Sequence, residues 1–140
     1  MTDRCILVAH GTDNTRIVLK NVLREAGYHY VSTARNGRQI FGRLTRGEYD
    51  LLITATELSD ITCWQLLRAI ATGAFCSPRL PVLIVCDAGQ ISQIELLAQE
   101  HRARALALDE LGTLPETLRT CLEDTKKPAV LVIEDHPDTA

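Results

Sequence analysis

Short apolar runs alternate with amphipathic stretches along this chain in a regular rhythm. The runs predict strands over Cys5–Ala9, Tyr30–Thr33, Asp50–Thr54, Pro81–Cys86 and Ala105–Leu108. Unbroken apolar runs such as Val82-Leu83-Ile84-Val85-Cys86 suit parallel strands covered on both faces. The intervening pattern predicts helices over Asp13–Ala26, Arg38–Thr45, Cys63–Thr72, Ile91–His101 and Pro115–Glu123. In the first, Leu19, Val22, Leu23 and Ala26 recur at three- and four-residue steps and form one core-facing stripe. Gly27 follows directly, where a glycine ends a helix. Leu118, Cys121 and Leu122 repeat the stripe on the last helix. Strand–helix units with short connections predict a doubly wound α/β domain. Its ligands would bind beyond the carboxyl ends of the strands. The positions to weigh are therefore His10, Gly11, Ala55, Cys86, Asp87 and Leu108.

The first strand is written a second time at the end of the chain. Cys5-Ile6-Leu7-Val8-Ala9 leads to His10-Gly11, whereas Ala129-Val130-Leu131-Val132-Ile133 leads to Glu134-Asp135. Two adjacent carboxylates suit a hard cation such as Mg²⁺, and an imidazole with a glycine does not. The boundaries expected are a domain over residues 1–124 and, over 125–140, a linker plus the first strand of a following domain.

Bulk properties narrow the function. At 140 residues the chain suits one domain with a full core. A net charge of −3 gives no basic stripe for nucleic acid. Arg35, Arg38, Arg43 and Arg46 do gather near one helix, where a solvated face is the plainer reading. No apolar run approaches the ~20 residues that span a bilayer, and no secretory leader pattern stands at the N-terminus. A cytoplasmic protein without membrane contact is expected. Five cysteines show no CxxC pair and no metal spacing with histidine. Cys5, Cys86 and Cys121 read as small core residues in a reducing compartment.

The ordered framework resembles the response-regulator receiver domain of bacterial two-component phosphorelay signalling. Ile6-Leu7-Val8 resembles its first strand, and Arg16, Leu19 and Leu23 its first helix. Ala26-Gly27-Tyr28 with Ala34-Arg35-Asn36-Gly37 resembles its second-strand signature. Tyr49-Asp50-Leu51-Leu52-Ile53 and Pro81-Val82-Leu83-Ile84-Val85 resemble its third and fourth strands. The resemblance covers residues 4 to 124. It implies a flavodoxin-like (βα)5 fold with a five-stranded parallel sheet in the order 2-1-3-4-5, and helices on both faces. It also implies a site, but every site position departs from the pattern. The metal-binding acid pair falls on His10 and Gly11, and the phosphoacceptor aspartate on Ala55. The hydroxyl falls on Cys86, the lysine on Leu108 and the switch aromatic on Ala105.

These departures have a common chemical sense. Alanine carries no oxygen to accept a phosphoryl group. Without the carboxylates no Mg²⁺ is held, and leucine supplies no charge for phosphoryl oxygens. Losing the acids makes a buried lysine unfavourable, so the changes agree with one another. The expectation is a pseudo-receiver: no catalytic residue, no cofactor, no metal and no enzyme activity. Glu57 and Asp60, later in the same loop, read as solvated acids. His10 and Cys86 raise an alternative, a redox or metal-sensing pair. However, an intervening strand would hold their backbones about 10 Å apart, far beyond the ~3 Å a nucleophile and base require. The loop His10-Gly11-Thr12-Asp13-Asn14 lacks the glycines of a dinucleotide site, and Thr12 or Asp13 reads as a helix cap.

What persists is a scaffold for contacts. Trp64 reads as core packing or partial shielding. Leu96 projects away from Ile91, Ile94, Glu95 and Ala98, and with Ala105 marks the partner surface that the resemblance implies. Partners expected are a downstream receiver or output domain, a histidine kinase, or a second copy in a homodimer. A structural dimerisation unit ahead of an active receiver is a further alternative. The tail strand needs partners for its backbone groups, and pairing with an edge of another molecule is expected.

Overall fold

The computed structural model describes residues 2–76, 79–100, 103–107 and 112–123. Leu108, Glu134 and Asp135, the tail strand and the Cys121 side chain lie outside the described residues. The elements run β1 (Thr2–Ala9), α1 (Asp13–Glu25), β2 (Tyr28–Ala34), α2 (Gly37–Arg46), β3 (Leu51–Ala55) and α3 (Cys63–Ala71). They continue as β4 (Val82–Cys86), a 3-10 turn at Ala88–Gln90, α4 (Ile91–Glu100), β5 (Ala103–Ala107) and α5 (Leu114–Glu123). All strand pairs are parallel, in the order β2-β1-β3-β4-β5. This is the flavodoxin-like order.

Alternate residues on each strand feed two cores. Leu7, Leu52, Ile84 and Ala105 face one cluster with Ile40 and Leu44 of α2, Leu66 and Ile70 of α3, and Ile91 and Ile94 of α4. Ile6, Ile53, Leu83 and Leu106 face the other with Leu19 and Leu23 of α1 and Leu114 and Leu118 of α5. In β3, β4 and β5 residues facing both ways are buried, so β3 and β4 read as nearly continuous apolar runs, whereas the edge strand β2 is buried only at its ends.

Three strands begin earlier than the apolar pattern suggests, β1 at Thr2 rather than Cys5. Gly27 has φ 98°, a left-handed turn that ends α1 and feeds directly into β2 at Tyr28. β5 begins at Ala103, whose small side chain pairs with Val82 but gives little hydrophobic signal. Thr12 stands at the N-cap of α1, yet its side chain makes no capping bond.

Asp50 fixes the entry to the central pair of strands. Its backbone N–H donates to the Cys5 carbonyl (2.8 Å), and its Oδ2 accepts from the Cys5 N–H (2.8 Å). The Arg4 guanidinium lies 3.6 Å from the same carboxylate, with both side chains well exposed. A charge-assisted bond to a part-buried backbone outweighs a loose surface ion pair. Accordingly, Asp50→Ala is expected to cost about 1–2 kcal/mol in urea unfolding, whereas Arg4→Ala costs at most about 1 kcal/mol.

Candidate functional site: the carboxyl rim of the sheet

Across the carboxyl ends of the strands runs a row of small apolar side chains. Ala34, Ala9, Ala55, Cys86 and Ala107 close β2, β1, β3, β4 and β5 in spatial order, and all are buried. They belong to the cluster under α2, α3 and α4. No carboxylate belongs to this row. Ala55 is 6% exposed and Cys86 3%, so neither the nucleophile position nor the hydroxyl position opens freely to solvent.

His10 continues the ladder past β1. Its N–H donates to the Ala34 carbonyl (3.1 Å), and its own carbonyl accepts from Arg16 Nη1 (2.6 Å). The ring folds back on the loop, where Nδ1 accepts from the Thr12 N–H (3.1 Å). That bond requires an unprotonated Nδ1. Partial burial, then the nearby Arg16 charge, holds the imidazole below its ordinary 6.5. Arg16 in turn pairs with Asp13, so the acid nearest this corner is already engaged.

The fit to Mg²⁺ fails on the donor set. A hard cation wants oxygen ligands, and the positions offer an engaged imidazole, a glycine and an alanine. Among the described residues no three His, Cys, Asp or Glu side chains gather to hold a metal ion. The Cys–His pairing also lacks geometry. β3 lies between β1 and β4, which separates the two backbones by about 10 Å. Cys86 sits inside the core cluster, where a thiol is shielded from reaction.

The loop after β3 holds a feature that local spacing did not reveal. Leu58 N–H to Ile61 O (2.8 Å) and Cys63 N–H to Thr56 O (2.9 Å) fold residues 56–63 into a tight turn. Its tip carries Asp60 to the start of α2, where Oδ1 accepts from the Gly37 N–H (2.7 Å) and Oδ2 from the Arg38 N–H (3.1 Å). Asn36 caps the next turn by accepting from the Gln39 N–H (2.9 Å). The helix therefore begins on two carboxylate oxygens and one amide oxygen, all favourable at its positive end. Asp60 is exposed, as a solvated acid would be, but both of its oxygens are committed to the α2 backbone, which the sequence did not reveal. The Gly37 bond, the largest effect, holds its carboxyl below the ordinary value against the opposing effect of burial, with a further contribution from the Arg38 bond. Glu57 is likewise exposed, as expected.

Close approach explains Gly37. A Cβ there would lie 2.5 Å from Ile61 Cγ2 and 3.1 Å from Asp60 Oδ1. On the other side of the rim, Leu96 is 68% exposed while Ile91, Ile94 and Glu95 are buried, the division that the helical pattern implies. Ala105 is wholly buried, so it reaches a partner only through what covers it. Trp64 packs against the core, partly covered. Beside it Cys63 is buried, and burial pushes its thiol up to about 12.

The chain is similar to known proteins of one kind. The chemotaxis protein CheY of Pseudomonas aeruginosa PAO1 is 31% identical over 94 residues, 67% of this chain and 75% of that protein. The transcriptional regulatory protein CusR of Escherichia coli K12 is 26% identical over 135 residues. That alignment takes in 94% of this chain but 55% of CusR, so the chain spans about half the length of this relative. A crystal structure from Chloroflexus aurantiacus J-10-fl, assigned as a response regulator, superposes with TM-score 0.79 at 25% identity. It covers 87% of this chain and 99% of its own. No family model matches the chain.

Two measurements test the loop-to-helix contact. Gly37→Ala is expected to destabilise by about 1–3 kcal/mol through overpacking, although alanine is the better helix former. Adding Ile61→Ala removes the clash and recovers part of the loss in urea unfolding. The Asp60 contribution depends on pH with a definite sign. A folded-state value held below 3.8 means stabilisation fully present above that pH and lost as pH falls through the lowered value. Asp60→Ala is therefore expected to unfold at lower urea than wild type at neutral pH, and the gap should close in acid.

Proposed function

This chain belongs to the response-regulator receiver family, and we propose that within it the domain has given up phosphotransfer and regulates by protein contact. The carrying observation is the buried apolar rim, where Ala9, Ala55, Cys86 and Ala107 end the strands that surround the site. Phosphoryl transfer is almost wholly positioning and charge stabilisation. A rim without carboxylate, hydroxyl or metal ligand at the matched positions supplies neither. His10 and Gly11 stand where the metal-binding acids would be, Ala55 where the phosphoacceptor would be, and Cys86 where the hydroxyl would be.

The acids in the neighbouring loop do not compensate. Both Asp60 oxygens accept from the α2 backbone, and a carboxylate so held is a poor nucleophile and is aimed elsewhere. Leu108, at the lysine position, would complete the apolar set. The module is thus regulatory and not an enzyme, and it works in the cytoplasm. No helix among the described residues is long and apolar enough to cross a membrane.

Contact then carries the signal. Leu96 offers an exposed apolar side chain on α4, and we assign this helix and the adjoining β5 edge to partner binding. The partner is a neighbouring receiver or output domain, a histidine kinase, or a second copy. Glu134-Asp135 after a repeated first strand reads as the start of a second receiver with its metal-binding acids intact. On this reading residues 1–124 form the degenerate first domain of a tandem, and 125–140 lead into an active one.

The test is direct. With acetyl phosphate and Mg²⁺, the purified chain is expected to gain no phosphoryl mass in intact mass spectrometry. Ala55→Asp alone is expected to gain none either, because the metal ligands remain missing. An adduct on the wild-type chain, at Asp60, Glu57 or elsewhere in residues 1–124, would overturn this reading. Phosphorylation of Ala55→Asp would show that the rest of the pocket is still competent.

A further inference from the structure

The outer face of α2 presents an unopposed cationic groove, and we propose that it docks an acidic segment of a protein partner. The helix carries Arg38, Arg43 and Arg46 and no acid, with Arg35 just before it. All four arginines are exposed, and among the described residues none makes an ion pair. The four cations stand in a chain whose net charge is −3, and the carboxylate at the start of the helix, Asp60, is engaged by the Gly37 and Arg38 N–H groups. A positive field of this kind without internal partners attracts a complementary surface.

Shape adds a second, independent observation. Asn36, Arg38, Gln39, Gly42, Arg43 and Arg46 line a groove of about 510 Å³. Glycine weakens a helix interior, so Gly42 calls for a reason. Packing supplies none, because a Cβ at Gly42 would meet nothing within 4 Å. Gly37, pressed against Ile61, shows what a packing demand looks like in the same helix. Arg38, Gly42 and Arg46 follow at four-residue steps along one ridge. The missing side chain therefore leaves a gap between two guanidinium stems, open for a carboxylate-bearing chain to approach the helix.

Arg43 is partly organised in advance. Its Nε donates to the Thr33 carbonyl on the edge strand (2.7 Å), which fixes the guanidinium plane and leaves its other N–H donors uncommitted. A guanidinium held in place loses less freedom when it binds a carboxylate as a fork. The helix is about 15 Å long, and the chain as a whole is acidic at net charge −3, which favours a short acidic peptide over a nucleic-acid backbone as the occupant. The groove lies by the β2 edge and α4 by the β5 edge, so this surface is separate from Leu96.

The experiment titrates the whole chain with a labelled peptide of consecutive Asp and Glu residues at low salt, while amide shifts are followed. Expected are shifts confined to residues 35–46 and binding that weakens as salt rises. Arg38→Glu with Arg46→Glu should weaken binding about tenfold or more, while Arg24→Glu with Arg68→Glu, of equal net charge, should not. Gly42→Ala should weaken binding several-fold without lowering the thermal midpoint, which separates lost docking from lost folding. The proposal is overturned by an absence of binding at low salt, by shifts centred elsewhere, or by equal losses in the two charge-reversed variants. It is also overturned by undiminished binding of Gly42→Ala, or by tighter binding of a DNA oligonucleotide than of the acidic peptide.

Discussion

A parallel sheet buried on both faces sets the terms for this molecule. Backbone groups inside it are satisfied strand to strand, and side chains on either face are mostly apolar because helices cover them, with Thr54 and Arg104 the buried polar residues among the described strand positions. Ile6, Leu7, Val8 and Ala9 are all fully buried, as are Leu51, Leu52 and Ile53. Polar chemistry is thereby driven to the ends and edges of the strands. At the entry end, Asp50 serves as an added rung between β1 and β3. At the open edge, Arg43 covers the Thr33 carbonyl, which blunts a surface that would otherwise invite pairing.

At the carboxyl end the same constraint explains why the departures come together. Buried ionic groups are tolerable only as a mutually satisfied set. With no carboxylate after β1 or β3, an isolated lysine or metal would be uncompensated, and small apolar residues are the compatible occupants. His10 fits this logic, because it is held unprotonated at Nδ1 by the Thr12 N–H and tied through its own backbone to the Ala34 carbonyl and the Arg16 guanidinium. The loop acid Asp60 survives because it has other work, holding the amide end of α2. The strand ends at the rim are thus lined by small buried apolar side chains, while the exposed Leu96 and the α2 arginines lie on outward faces.

Those faces differ in kind. α4 offers an apolar side chain at Leu96, and α2 offers guanidinium groups around a glycine gap. Apolar contact contributes affinity through buried area, while charged contact contributes orientation and encounter rate. The two chemically different surfaces thus stand on separate edges of one sheet.

Hydrophobic patterning alone determined most of the fold. The five strands, the five helices, the stop at Gly27 and the exposure of Leu96 all follow from short-range periodicity, which reports which side of an element meets the core. The identities at His10, Gly11, Ala55 and Cys86 were equally legible, because each follows its strand directly. Tertiary structure decided what lies beyond local spacing. Asp60 contacts a helix 23 residues earlier, and Ile61 presses on Gly37, so neither partner is visible in the sequence around the other. The same holds for Gly42, whose meaning depends on the empty space above it. Periodicity encodes burial, but a long-range hydrogen bond or an unfilled gap is a relation between distant segments, and only their packing creates it.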